Sequence, residues 1–451
     1  MRTLEDGMNK MKVITTDASK NLFWQETETE FAMQTDCMHV VNVFPELKGQ
    51  QIEGFGGAVT EASVYSASKL AADKREEVLK GYYGEEGLRY NLARVHIHSC
   101  DFALGNYTYV EEGDKNLSSF DVAHDREYLF PFLKEAMVLC DGNLDFLASP
   151  WSPPAYMKTN GEMNHGGKLK AEYAPLWAAY YVKFIKAYAE EGIHISYITV
   201  QNEPMAVQTW DSCIYEAAEE GTFVKNYLAP ALKDAGLSHI QIFVWDHNKE
   251  EVYDRAKATF DVEGVREEVA GIAVHWYTGD HFDALRAVKQ AFPEKKLFFT
   301  EGCVEYSRFA DSGETQKAEM YAHDILGNLK AGVEAYFDWN ILLDEKGGPN
   351  HVGNFCAAPM MLDGKGGVEK RLTYYYIGHF SRYIKKGAVQ LMTSTYTDKI
   401  ETVAFVNPDG ERVVVILNKS SEPVEITLRE CGMGTNTVVM AHSIVTLCYT
   451  K

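Results

Sequence analysis

Glu203 stands near the end of the apolar run ISYITVQNEP that begins at Ile195, and Glu301 ends the run KLFFTE that begins at Lys296. A carboxylate at the end of such a run is informative, because burying its charge without a partner costs free energy. Two carboxylates that face each other can cleave a glycosidic bond. One donates a proton to the leaving oxygen while the other attacks the anomeric carbon, and a separation of about 5–5.5 Å gives retention whereas about 6.5–9.5 Å gives inversion. Either glutamate alone would more often be structural, since Glu is common at loop starts. The pair carries the chemistry.

Other strand ends are polar too. His98, Ser99 and Asp101 follow one run, Trp151 another, and Asn202 precedes Glu203. Further along come Asp246 with His247, then His275, Trp276 and Tyr277, then Cys303 beyond Glu301, and finally Asp338, Trp339 and Asn340. Asn202 is placed to bond a sugar hydroxyl, and Trp151 and Trp339 offer flat apolar faces to a sugar ring. A metal reading competes. His96 and His98 form an H-x-H pair that would project on one face of a strand. With His247 and His275 they would make a zinc site and a metallohydrolase. The bland alternative is that these histidines are hydrogen-bonded interior residues. A non-catalytic sugar-binding barrel is the other competing class.

The elements that must position these residues form a repeating pattern. Short apolar runs begin at Ile52, Leu88, Leu144, Ile195, Ile240, Gly271, Lys296 and Val333, with longer helical or loop stretches between them. Ser68 is expected to cap a helix through Leu70, Val78 and Leu79. Trp177, Tyr180, Phe184 and Tyr188 recur at helical spacing before Gly192, and Met320, Ile325 and Leu329 do so before Gly332. Alternating strand and helix predicts a parallel sheet covered on both faces, and eight such units predict a closed (β/α)₈ TIM barrel, with a doubly wound sheet as runner-up. Active residues of such barrels sit at the C-terminal strand ends, which is where the polar residues fall.

The ends of the chain read as strands without helices: KVITTDA, LFWQETE and HVVNVF early, then ETVAFVN, RVVVILN, VEITL, NTVVMA and SIVTLCY late. The expected organisation is residues 1–50 joining a β-sandwich, 51–383 forming the barrel, and 384–451 forming the sandwich itself.

The 451 residues carry 65 acidic and 44 basic side chains, a net charge of −21. Such a chain repels polyanions, so nucleic acid and anionic membrane surfaces are poor partners and a neutral substrate fits. The eight cysteines form no CxxC pair or zinc-like cluster. The start, MRTLEDGMNKMKVITTDASK, lacks the apolar core of a signal peptide. A cytoplasmic protein with reduced thiols and no stable membrane anchor is expected, or a secreted one if a leader has been trimmed. Oligomeric state is not readable.

QIEGFGGAVTEAS, YNLARVHIHSCDF, FLASPWSPPAYMKTNG, VQNEP, GIAVHWY, FTEGC, FDWN and GGPNHVGNF together resemble glycoside hydrolase family 30, in its glucosylceramidase and β-glucosidase branch, from about Gln51 to the C-terminus. The resemblance implies a barrel with an attached sandwich and retaining hydrolysis of β-glycosides without cofactor or metal. It implies Glu203 as acid/base and Glu301 as nucleophile. It implies Asp101, Trp151, Asn202, Trp339 and Asn354 as sugar-binding residues, His275 and Tyr277 as pocket-lining residues, and Arg94 and Cys303 as supporting ones. On this reading Glu203 is held protonated by burial and by a negative Glu301, which Arg94 or Tyr277 keeps ionised. The segment MAVQTWDSCIYEAAEE after Pro204 departs from the family pattern. The aglycone of a β-glucoside therefore stays open, and β-1,6-glucanase, β-xylosidase and β-fucosidase activities are alternatives.

Overall fold

The structure, a computed structural model, describes residues 10–30, 32–33 and 39–450. Cys37 and the first nine residues of the expected N-terminal segment lie outside the described residues.

Eight parallel strands close into a barrel: β1 (Gly54–Ala58), β2 (Leu92–Ile97), β3 (Asp145–Pro150), β4 (Ile195–Thr199), β5 (Gln241–Asn248), β6 (Gly271–His275), β7 (Lys296–Glu301) and β8 (Ala335–Asn340). Each pairs with the next in sequence and β8 pairs with β1, so the ring is complete and the doubly wound alternative falls. The eight runs expected from the sequence are these eight strands. Leu92, Leu147, Tyr197, Phe243, Ala273, Phe298, Ala335 and Phe337 fill the barrel interior as one buried cluster. That packing makes the lower barrel solid, and the polar strand ends above it become the floor of a site.

The helix through Ala174–Glu190 buries Trp177, Tyr180, Phe184 and Tyr188 completely, and Gly192 follows it in a left-handed conformation at φ 83°. The helix Glu314–Lys330 likewise ends before Gly332, at φ 103°. Ser68 does not cap a helix. It is the last residue of the helix Glu61–Ser68, whose cap is Thr60 accepting the Ser63 N–H, and its hydroxyl turns back to the Tyr65 carbonyl. Leu70 falls in the connection, and Val78 and Leu79 belong to a second helix, Ala72–Tyr83, that starts without a side-chain cap.

Ten further strands form one sheet that includes all the runs read at the two chain ends, and five short strands between Val304 and Lys370 make two small sheets. Met11, Val41, Leu391, Val414, Ile426, Val439 and Leu447, from strands across its whole width, share one core, so the sheet is folded over as a sandwich. Two members were not foreseen: the two-residue strand Ala32–Met33 at one edge, and Val389–Thr395, which pairs with both Val40–Gln51 and Glu401–Val406. The only fully buried side chain of Val389–Thr395 is Leu391, which leaves it without a visible apolar pattern. The sandwich is pinned to the barrel layer by polar contacts. Trp24 donates to the Tyr375 carbonyl, His379 bridges Thr16 and Thr446, and His323 pairs with Glu401.

Candidate active site

Around the ring β4 and β7 are three places apart, not diametrically opposed, so Glu203 and Glu301 approach one cavity from the same half of the mouth. Glu301 is the last residue of β7. Glu203 lies four residues beyond β4, held by its N–H on the Asp246 carbonyl, while the Asn202 N–H binds the Pro150 carbonyl. Glu203, Asp246, Trp245 and His98 all have positive φ (47°, 49°, 77° and 51°). Non-glycine residues there cost of order 1–3 kcal/mol each, and such strain gathers at functional sites.

Glu301 is clamped from two sides. Arg94 Nη1 on β2 donates to Oε2 at 2.6 Å and the Tyr277 hydroxyl donates to Oε1 at 2.8 Å. Arg94 is fully buried, and its other contacts are Ser149, Asn202 Oδ1 at 2.8 Å and Asp246 Oδ2 at 3.0 Å. Its guanidinium also lies 4.9 Å from the Trp151 ring and 5.4 Å from the Trp339 ring, which stack on each other at 5.4 Å. Glu203 has a different environment. Its Oε1 meets His275 Nδ1 at 3.2 Å and His247 Nδ1 at 3.6 Å.

Asp246 joins the two halves. It receives hydrogen bonds from Thr199 and Thr300, both at 2.6 Å, from Arg94, and from His275 Nε2 at 3.0 Å. Burial alone would raise its pKa, but Arg94 and His275 hold the carboxyl far below the usual range. Burial likewise opposes charge on His275, yet Glu301, Asp246 and Glu203 push its pKa up to about 9. His275 is therefore an imidazolium at neutral pH.

This corrects the expected protonation order. Burial raises the Glu203 pKa, but the His275 imidazolium, with His247, brings it below the ordinary value. Burial lifts Glu301 above the ordinary value, with Glu203 adding to the rise against the pull of His275 and Arg94. At neutral pH His275 thus carries a proton one hydrogen bond from Glu203.

Asp101, Trp151, Asn202, Glu203, Tyr277, Glu301, Cys303, Trp339 and Asn354 all line the cavity. Asn354 donates to Asp101 Oδ2 at 3.1 Å, while Asp101 Oδ1 is buried and has no partner among the described residues. Burial, reinforced by Glu301, raises the Asp101 pKa well above the carboxylate range. One residue sits elsewhere than expected: His275 is fully buried behind Glu203 and does not line the cavity, whereas Arg94 supports Glu301 from a fully buried position. The expected pairing of His96 and His98 in a metal site also fails. His96 Nε2 accepts the Glu61 N–H and its Nδ1 meets the His98 carbonyl, while His98 binds the Tyr180 hydroxyl and the Ser152 carbonyl. Both rings are already saturated, because the chain turns at His98 and breaks the shared strand face.

The cavity gains Gln208, Trp210, Asn248 and Glu305, to which no role was assigned, and His247, which was weighed only as a metal ligand. Gln208 and Trp210 come from the unusual segment after Pro204. That segment is anchored by Lys158, whose Nζ donates to the Ser212 and Met163 carbonyls, and by Ser99 donating to Asp211. The runs WDHN and TWDS held a signal for Trp210, His247 and Asn248, aromatic and polar side chains beyond a strand, whereas Gln208 and Glu305 carried none.

Paired carboxylates over the C-terminal mouth of a TIM barrel, with stacked tryptophans beside them, define the site of a glycoside-cleaving enzyme. The glycosyl hydrolase family 30 TIM-barrel model matches residues 52–384 and the family's β-sandwich model matches 387–447, so the chain belongs to glycosyl hydrolase family 30 and is a glycosidase. It is 34% identical over 441 residues to the lysosomal acid glucosylceramidase of Mus musculus, covering 93% of this chain and 85% of that protein. It is 31% identical to an endo-1,6-β-D-glucanase of Aspergillus fumigatus, over 84% of this chain and 80% of that one. The crystal structure of SrfJ from Salmonella typhimurium superimposes with a TM-score of 0.95 at 37% identity, covering 98% of this chain and 100% of that one. No helix among the described residues is long and apolar enough to cross a membrane, and the seven described cysteines are free thiols.

Proposed function

We propose that the chain is a retaining β-glycosidase that releases β-linked glucose, with Glu301 as nucleophile and Glu203 as acid/base. The observation that carries this is the asymmetry of the two carboxylates. Glu301 is fixed by a buried guanidinium and a phenol, as a nucleophile must be, whereas Glu203 touches only imidazoles, through which it can gain and lose a proton. In the first step Glu203, recharged by the proton on His275 Nδ1, protonates the glycosidic oxygen. The bond from that oxygen to the anomeric carbon breaks as a Glu301 oxygen bonds to the carbon. In the second step water gives its proton to Glu203 and its hydroxide to the anomeric carbon, freeing Glu301. Asp101 and Asn354 hold hydroxyls, and Trp151 and Trp339 supply a ring face.

An apolar aglycone is favoured over a glucan. Leu104, Met205, Val207 and Phe355 are all exposed large hydrophobics (41%, 47%, 61% and 40%), and they lie on the loops that carry Asp101, Glu203 and Asn354. Apolar side chains left exposed on the loops next to a polar site favour a partner that removes them from water.

Two measurements test this. Proton NMR of early product shows the β-anomer if the enzyme retains, and an α-anomer overturns the mechanism. A 2-fluoro-glucoside inactivator adds its mass to the peptide containing Glu301, and labelling at Glu305 instead moves the nucleophile. For the aglycone, glucosylceramide is cleaved faster than short β-1,6-glucans, and Val207→Ser lowers only the former. The reverse preference assigns the chain to glucans.

A further inference from the structure

We infer that Glu203, His247 and His275 form a site at which a divalent transition-metal ion, zinc for instance, binds reversibly and silences the glycosidase. The effect on turnover rests on the reading of Glu203 above, and the binding itself does not.

The three side chains each present one donor atom, and all three atoms lie within 4.8 Å of one another. Glu203 Oε1 is 3.2 Å from His275 Nδ1 and 3.6 Å from His247 Nδ1. Tetrahedral zinc with bonds of about 2.0–2.1 Å needs its ligands about 3.3 Å apart. Two edges of the triangle are already near that spacing, and small rotations of His247 close the third.

Two further observations point to a ligand here. His247 Nδ1 is buried and has no hydrogen-bond partner among the described residues. A buried polar atom left unpaired is costly, and a metal ion would satisfy it. His275 is also braced from behind, its Nε2 bonding Asp246, which is itself fixed by Thr199, Thr300 and Arg94. A carboxylate on the far nitrogen is the support that metal-binding histidines usually carry, since it sets the tautomer and aims the ring. Of the four histidines in the metal reading from sequence, His247 and His275 do converge, with Glu203 in place of His96 and His98.

The donor set selects the ion. Two imidazoles and one carboxylate suit zinc and its neighbours, whereas calcium and magnesium require more oxygen ligands than the site offers. The fourth position faces the cavity, where Glu203 meets the leaving oxygen. Binding takes up the Glu203 lone pair and releases the proton from His275 Nδ1, so it removes both the acid and its reservoir. The ion is an inhibitor, not a cofactor.

Calorimetry with zinc chloride on the whole chain tests the site. Saturable binding of one ion per chain is expected, with no heat from magnesium at the same concentration. His247→Phe weakens the binding at least ~30-fold, as loss of one of three ligands should. Zinc also lowers wild-type β-glucoside turnover, and a chelator restores it. No saturable binding below about 1 mM zinc overturns the proposal. So does His247→Phe binding zinc as the wild type does, or zinc occupying the site without inhibition. If His247→Phe does not fold, cobalt(II) titrated into the wild type decides: visible bands of a four-coordinate ion that zinc displaces support the site, and their absence removes it. Should the chain hydrolyse no β-glycoside, calorimetry would still decide the metal site, and only the glycosidase reading would fall.

Discussion

Replacing Asp246 by Asn removes one charge and leaves the shape of the side chain. In the wild type that carboxylate is 3.0 Å from both the Arg94 guanidinium and the His275 ring, and all three groups are fully buried. At an effective dielectric of about 20, each contact at that distance is worth roughly 5 kcal/mol before desolvation. Removing one partner of a buried pair typically costs about 3–5 kcal/mol of stability, and that is the loss expected here. The chemistry suffers separately. His275 holds its proton to about pH 9 instead of 6.5, on the order of 3 kcal/mol, and after Glu301 the Asp246 carboxylate is its main source. Without that carboxylate His275 deprotonates near neutrality. Glu203 then loses its proton reservoir, and Arg94 loses the anchor that aims it at Glu301. A fall in kcat/KM of about 10²–10⁴ is expected, the range for losing a positioned acid or base. The alkaline limb of the pH profile should move toward neutral. Stability carries the same signature. Because the folded-state pKa is raised, His275 stabilises the wild type fully below about pH 6.5, and that contribution fades as pH climbs through about 9. Thermal melts at pH 6, 7.5 and 9 should show this decline in the wild type and a weaker one in Asp246→Asn. A folded Asp246→Asn enzyme with kcat/KM within threefold of wild type and an unshifted alkaline limb would refute the relay.

Two further outcomes follow from the geometry. Glu203→Ala should slow substrates with poor leaving groups at least ~100-fold more than activated aryl glycosides, which need no protonation; equal losses, read from kcat/KM across a leaving-group series, would move the acid elsewhere. His98→Ala should lower stability by roughly 2–4 kcal/mol, because a cavity opens, the Ser152 carbonyl loses its partner in the ring and the Tyr180 hydroxyl keeps only the Tyr109 N–H; a melt matching wild type would show that the ring is dispensable.

The barrel was legible because its strands are buried on both faces and read as short apolar runs between amphipathic helices, as with Trp177 to Tyr188. The sandwich was less so. Val389–Thr395 holds a place between two neighbours, yet its alternation is broken by bulges at Leu391, and backbone pairing leaves no mark on composition. The helix start at Thr60 was missed because Gly56, Gly57 and Ala58 before it read as strand while the cap lies at the strand's very end. At the site, Glu203 and Glu301 stood out because a carboxylate is rare at the end of an apolar run. Asp246 stood in plain view beside them without a role. Its importance comes from four partners on β2, β4, β6 and β7, and contacts across a ring cannot be read along a chain. The reversed protonation of Glu203 was hidden for the same reason: it depends on His275, 72 residues away.

The charges around the mouth also say what kind of transition state the site suits. Asp101 is pushed toward its neutral acid form by burial and by Glu301, which makes it a hydrogen-bond donor as well as an acceptor for a sugar hydroxyl. That leaves Glu203, Asp246 and Glu301 as anions against Arg94 and the His275 imidazolium. The buried set keeps one net negative charge, and the two cations are both committed to carboxylates beneath or behind the cavity floor. An anomeric centre beside Glu301 therefore meets a buried set whose charges sum to one negative. An anionic sugar is repelled there and a neutral one is tolerated. A ring acquiring positive charge as its bond to the leaving oxygen stretches gains more than either, because the field was set by folding and needs no reorganisation when the charge appears. The low-dielectric tryptophan pair beside it strengthens that field instead of competing with it. The same strained backbone that turns Glu203 and Asp246 into left-handed conformations is what holds these anions together against their mutual repulsion. The barrel's packed interior is what makes that arrangement durable.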